Sequence, residues 1–299
     1  MEPAYEVAIV GGGPAGLAAA LVFGRMRRRV LVLDAGEPAH AVSDGVRGFF
    51  GHDGIPPEGL RRIARDQLEP YESVTVLMST AEHGAPRPGG FSIHAAGTTI
   101  EARVLLLCSG LQYELPPLKG LAALWSHGVY HCPYCHGWEV RDRPLAVYGA
   151  KAASLALLLT SLSDDIVLLT DGSADLDPDE AKLLRSAGVL IRSDPVARVE
   201  PEDGRLARVV FADGSADERA AMFLVPTPKP SPLIRELGCE VDDSGQIVTD
   251  HDGRTSVAGL FAAGDTTTDR KAVVLAAAAG SRAAYVINAA LARGLLPPH

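Results

Sequence analysis

The chain has 299 residues, 47% of them hydrophobic and 22% charged, a composition typical of a folded globular protein with length enough for two domains. A net charge of −9 argues against nucleic acid or an anionic membrane surface as a partner, because both recruit clustered Lys and Arg. Four cysteines, only two of them at CxxC spacing, fit a cytoplasmic chain that uses cysteine for redox chemistry rather than a disulfide-stapled scaffold.

The sequence opens MEPAYEVAIV and enters an apolar strand with no basic stretch, leader-like core or cleavage site, which supports the cytoplasmic expectation. Val7–Val10 is that strand; GGGPAG follows, then LAAALVF with helical character. Gly11, Gly13 and Gly16 take the GxGxxG positions, with Pro14 and Ala15 inside the turn. A second apolar strand, Val30–Leu33, ends on Asp34, 18 residues beyond Gly16, where a carboxylate accepts hydrogen bonds from an adenosine ribose. Strand, turn, helix, strand and acid in register predict a dinucleotide site: the glycines let backbone approach the pyrophosphate, and the helix N-terminus supplies N–H donors. Arg25, Arg27, Arg28 and Arg29 form the one basic run and read as a solvated helix end that favours the dipole.

FFGHDGIPPEGL, from Phe49, is a Gly/Pro loop feeding a helix over Pro57–Leu68. Val74–Ser79, Phe91–Ala95 and Thr99–Leu107 read as strands, the last two joined by a turn around Gly97, suggesting a small β insertion before a parallel strand at Val104–Leu107.

Beyond Pro116 and Pro117 lies YHCPYCHGWEV, Tyr130–Val140. Cys132 and Cys135 are spaced to close a small disulfide ring, and Pro133 and Tyr134 stiffen the turn between them. His131 and His136 stand immediately outside, placed to lower a thiol pKa or to carry protons during exchange. Zinc is a poorer reading, since four ligands packed into six residues give poor tetrahedral geometry and no second CxxC or HxxxH completes a site. Two inert buried cysteines remain open on spacing alone.

A second nucleotide-fold-like unit follows: a strand over Pro144–Tyr148, the turn GAKAAS, a helix over Leu155–Leu162 and a strand over Ile166–Leu169. Its glycine turn is degraded, with only Gly149 left and Lys151 and Ser154 at the later positions. Thr170, Asp171 and Gly172 follow the strand; an acid there is hostile to a 2′-phosphate, and Asp171 reads equally as an NAD-ribose acceptor or a turn residue. PTPKPSP, Pro226–Pro232, reads as a hinge or crossover linker. Leu260–Ala263 is a last apolar strand, followed by Gly264, Asp265 and a helix whose first turn is expected to carry Thr266, Thr267 and Thr268 as caps. The apolar tract Ala272–Leu291, interrupted by Ser281, Arg282 and Asn288, reads as a buried helix rather than a membrane span.

GGGPAG, a central CxxC and FAAGD before a long helix, in that order, resemble the thioredoxin reductase-like flavoproteins, the low-molecular-weight branch of the pyridine nucleotide–disulfide oxidoreductases. The resemblance spans nearly the whole chain and implies an α/β fold of two Rossmann-like three-layer domains. Residues 1–112 and 231–299 would form an FAD domain, and residues 113–230 an inserted NAD(P)-type domain carrying CxxC. It further implies FAD held by Gly11, Gly13, Pro14, Ala15, Gly16, Asp34, Gly264, Asp265, Lys271 and Ala272, no metal, and a homodimer. His40 and Arg47 fall in a loop that the resemblance brings near the flavin, where a plain surface role is an equal reading.

Three departures shape the functional expectation. The second glycine motif and the basic HRR-type signature are missing; CPYCH stands where ordinary relatives carry CATCD; and Lys271 follows Arg270 where related reductases commonly have glutamine. CPYCHGWE looks like the dithiol oxidases of gliotoxin- and holomycin-type metabolites, which keep FAD and CxxC while dispensing with the pyridine nucleotide. The implied function is an NADPH-independent dithiol oxidase with oxygen as acceptor and a small-molecule dithiol or thioredoxin-like protein as substrate. By the same resemblance Cys132 is the sulfur attacked and Cys135 the flavin-side sulfur; His136 is the first choice as proton shuttle and His131 the second. The alternatives are a disulfide reductase fed by NAD(P)H, ferredoxin or another flavoprotein, and a flavin redox sensor without turnover. Cys108 and Cys239 read as small buried hydrophobes.

Overall fold

The computed structural model describes residues 5–38, 41–173, 175–268 and 270–296. The chain divides into two compact units, residues 1–113 with 228–299, and residues 114–227 between them. Sequence placed the crossings at 112/113 and 230/231; the PTPKPSP segment gives a short strand, Thr227–Lys229, and then the helix Pro232–Glu236, which belongs to the first unit.

The first unit is built on a seven-stranded sheet. Strands Val74–Leu77, Val30–Leu33, Tyr5–Val10 and Thr98–Leu107 run parallel side by side. The first two apolar runs are covered on both faces, and Val7, Ala8, Ile9, Val30 and Val32 have no exposed surface, as parallel strands between helices require. Thr98–Leu107 is long because, beyond Tyr5–Val10 on one edge, it serves two partners on the other. Its first half pairs antiparallel with Gly90–Ala95, while Leu105–Leu107 pairs in parallel with Leu260–Ala262 from the C-terminal segment. The strand Ala81–Arg87 on the outside of this hairpin was not foreseen, because AEHGAPR is polar and carries Gly and Pro, the residues that argue against a strand.

The C-terminal helix Val273–Ala292 lies against the N-terminal helix Pro14–Arg25. Contact is backbone-close: a Cβ built on Gly280 would stand 2.0 Å from the Ala15 carbonyl oxygen. The C-terminal helix is long and apolar enough to cross a membrane by composition, but its buried face here is a stripe of Ala276, Gly280, Ala283, Ala284, Ile287 and Leu291, with Leu275 and Tyr285 exposed. The expectation of a buried helix is thus met on one face only. The basic run does more than decorate a helix end, for Arg28 bonds Glu6 at 2.7 Å and Asn288 at 2.7 Å, tying the first strand and the last helix together.

The inserted unit has a five-stranded parallel sheet in the order Leu190–Arg192, Ile166–Leu169, Leu145–Tyr148, Ala221–Leu224 and Val129–Tyr130. A three-stranded antiparallel sheet, Val196–Glu202, Arg205–Phe211 and Ala216–Glu218, packs its Val199, Leu206, Val209 and Phe211 into the same core. The helix predicted at Leu155–Leu162 spans Ala153–Leu159. Each unit is thus a mixed α/β domain around a parallel sheet, the second inserted into the first.

Candidate functional site

The glycine turn after the first strand is shaped by what a side chain would hit. Gly11 sits at φ +115°, its N–H donating to the Leu33 carbonyl at 2.8 Å, and a Cβ there would come 2.2 Å from the Cys108 carbonyl oxygen. A Cβ on Gly16 would lie 1.9 Å from the Gly11 carbonyl oxygen, and one on Gly12 2.2 Å from the Asp34 carboxylate. Gly13, by contrast, meets nothing within 4 Å. It is the N-cap of the 12-residue helix that Pro14 begins, and no side chain caps that terminus. A crowded turn with one face open and a helix N-terminus behind it is a cradle for a diphosphate, so the residues present fit the dinucleotide that the motif implies.

Asp34 is 4% exposed, and its carboxylate is already engaged. Arg61, from the helix Pro57–Asp66, donates to both oxygens at 2.9 and 2.7 Å, and the Gly36 N–H donates to Oδ1 at 2.9 Å. The acid expected to face an adenosine ribose is thus already held in place by a buried guanidinium. Sequence gave no signal for Arg61, since nothing relates it to an acid 27 positions earlier.

On the C-terminal side, Gly264 turns at φ +82°, with the position of its Cβ 2.9 Å from Ala15 Cβ, so the second motif abuts the first helix. Asp265 is half-buried; burial raises its carboxyl above its ordinary value, and the nearby charge of Lys271 opposes the shift. Tyr113 is pushed up in turn, by burial first and then by the Asp265 charge. The threonines do not cap the long helix, which starts at Val273 with Ala272 as N-cap and no side-chain cap. Instead Thr266 is fully buried, the Thr267 hydroxyl donates to the Gly264 carbonyl at 2.9 Å, and the Thr268 hydroxyl accepts the Arg270 N–H at 3.1 Å. They brace a loop between strand and helix. His40 lies outside the described residues; Arg47 packs beside Gly54.

In the inserted unit Cys132 and Cys135 are joined in a disulfide, Cα atoms 5.3 Å apart. Cys132 is the extended residue before a four-residue helical turn, Pro133–His136. Proline is at home at the first helical position, and the Cys132 carbonyl accepts the N–H groups of Cys135 and His136, both at 3.2 Å. Gly137 closes the turn, where a Cβ would strike the Leu162 side chain at 2.4 Å and the Pro133 carbonyl at 2.5 Å. Both flanking histidines are stacked. The His136 ring lies on Tyr130 with centroids 4.4 Å apart and planes 14° from parallel, and His131 lies on Trp125 at 5.4 Å and 13°. Tyr130 is itself buried against Phe223. Sequence reasoning named the histidines and missed the rings that aim them; Tyr130 was visible only as a flanking residue. Tyr134 and Trp138, beside the disulfide, are exposed, and the Arg141 guanidinium covers the Trp138 ring at 3.9 Å.

The degraded second turn borders a cleft of about 320 Å³ lined by Tyr148, Gly149, Lys151, Thr170, Asp171 and Asp175 among others. Asp171, at φ +53°, accepts the Tyr148 hydroxyl on Oδ2 at 2.5 Å and the Val196 N–H on Oδ1 at 2.6 Å. Of its two readings, the structure favours the turn. Cys108 is buried among apolar side chains and its thiol is pushed far up by desolvation; Cys239, half-buried, is pushed up to about 11 for the same reason. Neither thiol is primed for exchange.

A family model described as pyridine nucleotide-disulphide oxidoreductase matches residues 5–283. Thioredoxin reductase tcpT of Claviceps purpurea is 31% identical, the match covering 87% of this chain and 86% of that protein. The crystal structure of HlmI superposes with a TM-score of 0.92 at 36% identity, over 98% of this chain and 94% of that one. A putative thioredoxin reductase, TrxB of Bacillus anthracis, gives 0.91 at 32% identity, over 97% and 99%.

Proposed function

The chain belongs to the pyridine nucleotide-disulphide oxidoreductase family, and from that premise we propose that it is an FAD-dependent dithiol–disulfide oxidoreductase. It works without NADPH and runs as an oxidase, with a small-molecule dithiol or thioredoxin-like protein as electron donor and molecular oxygen as acceptor. The same reading makes it a cytoplasmic homodimer.

The observation that carries the oxidase reading is the state of the second cleft. Asp171, the acid after the second strand of this unit, is engaged by the Tyr148 hydroxyl and the Val196 N–H, and Lys151 and Ser154 stand where the later glycines of a pyrophosphate turn would be. A pyridine nucleotide would meet an acid already turned toward the protein's own donors and a turn without its glycines.

The chemistry at the disulfide is thiol exchange. A substrate thiolate attacks Cys132 Sγ, breaking the Cys132–Cys135 bond and releasing Cys135 as thiolate. The second substrate thiolate then attacks the substrate sulfur of the mixed disulfide and expels Cys132. The substrate leaves as a disulfide, two electrons poorer, and the cysteine pair is left reduced. His136, fixed on the Tyr130 ring and one residue from Cys135, accepts and returns the protons; His131 stands on the other side in the sequence. FAD, when bound at the first glycine turn, supplies the two-electron acceptor that restores the disulfide.

The relatives' names, thioredoxin reductases, and the survival of a cleft at the degraded turn favour a second reading, a disulfide reductase with an external electron donor. Anaerobic titration separates them. Bleaching of the flavin by a small dithiol but not by NADPH or NADH, with recovery and peroxide on admitting air, is expected. Rapid bleaching by a pyridine nucleotide would establish the reductase instead.

A further inference from the structure

We infer that Arg61 is a positioning residue for the adenosine half of the cofactor site, acting through Asp34; the inference rests on the FAD reading above. The two side chains form a buried pair, each 5% exposed. One guanidinium nitrogen, Nη2, spans both carboxylate oxygens, while Nη1 donates to the Gly36 carbonyl at 3.3 Å and to Glu58 at 3.0 Å. Arg65, one turn further along the same helix, stands 3.6 Å from Oδ2.

The carboxylate is thereby fixed in rotation. Oδ1 is occupied by Arg61 and Gly36, whereas Oδ2 takes a single close donor and lies against Gly12, where a Cβ would come within 2.2 Å of it. An ionised carboxylate offers about four acceptor sites, so the spare capacity is on the oxygen beside the glycine turn. A ribose hydroxyl arriving there meets an acceptor already oriented, with no rotamer freedom left to lose.

Arg61 makes this arrangement at its own expense. Its Nε is buried with no hydrogen-bond partner among the described residues, and burying an ion pair is by itself weak support for stability. A guanidinium placed so that Asp34 is satisfied and its own Nε is not points to a role in aiming the acid. Lysine, a point charge without the planar fork, cannot reproduce the grip.

The test reads hydroxyl selectivity on the full chain stripped of flavin. FAD is titrated back in, then displaced by ADP, 2′-deoxy-ADP and 3′-deoxy-ADP, and the ratio of affinities is measured. The wild type should prefer ADP over at least one deoxy analogue by about tenfold, the equivalent of one hydrogen bond to a charged acceptor. Arg61→Lys should bring that ratio close to one while retaining the wild-type circular dichroism, and Arg62→Gln, an exposed neighbour on the same helix, should keep it. Arg61→Leu provides the extreme if it folds. A wild-type ratio in Arg61→Lys, or no preference in the wild type, would overturn the inference. A wild-type chain that binds no FAD would overturn the cofactor reading itself, and is told apart by the first titration.

Discussion

The Tyr148 hydroxyl donates to Asp171 Oδ2 at 2.5 Å, joining the ends of two neighbouring parallel strands across the crevice where a dinucleotide would lie. The acid that reads in sequence as a ribose partner is turned toward the protein's own tyrosine and the Val196 N–H. Burial and then Asp171 push the Tyr148 phenol above its ordinary value near 10.

Stability should therefore fall as the pH rises above about 10, because the unfolded phenol loses its proton there before the folded one does. Tyr148→Phe should flatten that alkaline loss, with Tyr113, also raised, supplying the remainder. Urea denaturation at pH 8 and pH 10.5 for both proteins measures the difference. Asp171→Ala at pH 8 should cost about 1–3 kcal/mol, since it orphans the Val196 N–H and the Tyr148 hydroxyl together.

Asp265 presents the opposite balance between function and stability. Its carboxyl is raised by burial with Lys271 opposing, so its charged form is disfavoured in the folded chain. Such a group is least costly below the unfolded carboxylate pKa and loses stability as pH rises through its folded value. Asp265→Asn should raise the melting temperature of the flavin-free protein at pH 7, and the gain should vanish near pH 3. An unchanged melting temperature at pH 7 would mean that the burial cost is met elsewhere.

The close approach of the first and last helices depends on Gly280. Alanine ordinarily favours a helix by about 1 kcal/mol over glycine, but here the added methyl meets a carbonyl oxygen at 2.0 Å. Overpacking wins, and Gly280→Ala should destabilise by about 1–3 kcal/mol. Because Ala15 follows the glycine turn directly, the same variant should also bind FAD more weakly, measured by flavin released on dilution.

His136→Ala should slow bleaching of the flavin by a dithiol by about a hundredfold or more, the contribution of a positioned acid–base group, without releasing FAD. Tyr130→Phe keeps the stacking ring and should stay near wild type, whereas Tyr130→Leu should approach the histidine variant. Stopped-flow absorbance under nitrogen gives both rates, and an unchanged rate in His136→Ala would remove that residue from proton transfer.

The first nucleotide fold was legible because its signals are local. Val7–Val10, GGGPAG and Val30–Leu33 lie consecutively, and two buried parallel strands with a glycine turn leave an unmistakable apolar run and gap. The CxxC stretch was equally readable, since Pro133 and the spacing fix a helical turn within six residues. Polar strands such as Ala81–Arg87 and Val196–Glu202 were missed because partners far away in sequence, not their own composition, hold them extended. What tertiary structure alone decided is which acids are free. Asp34, Asp171 and Asp265 look alike in the sequence, each following an apolar strand. Folding brings Arg61 to the first, Tyr148 to the second and leaves the third half-buried near the charge of Lys271, and a carboxylate's chemistry is set by the donors and charges that surround it.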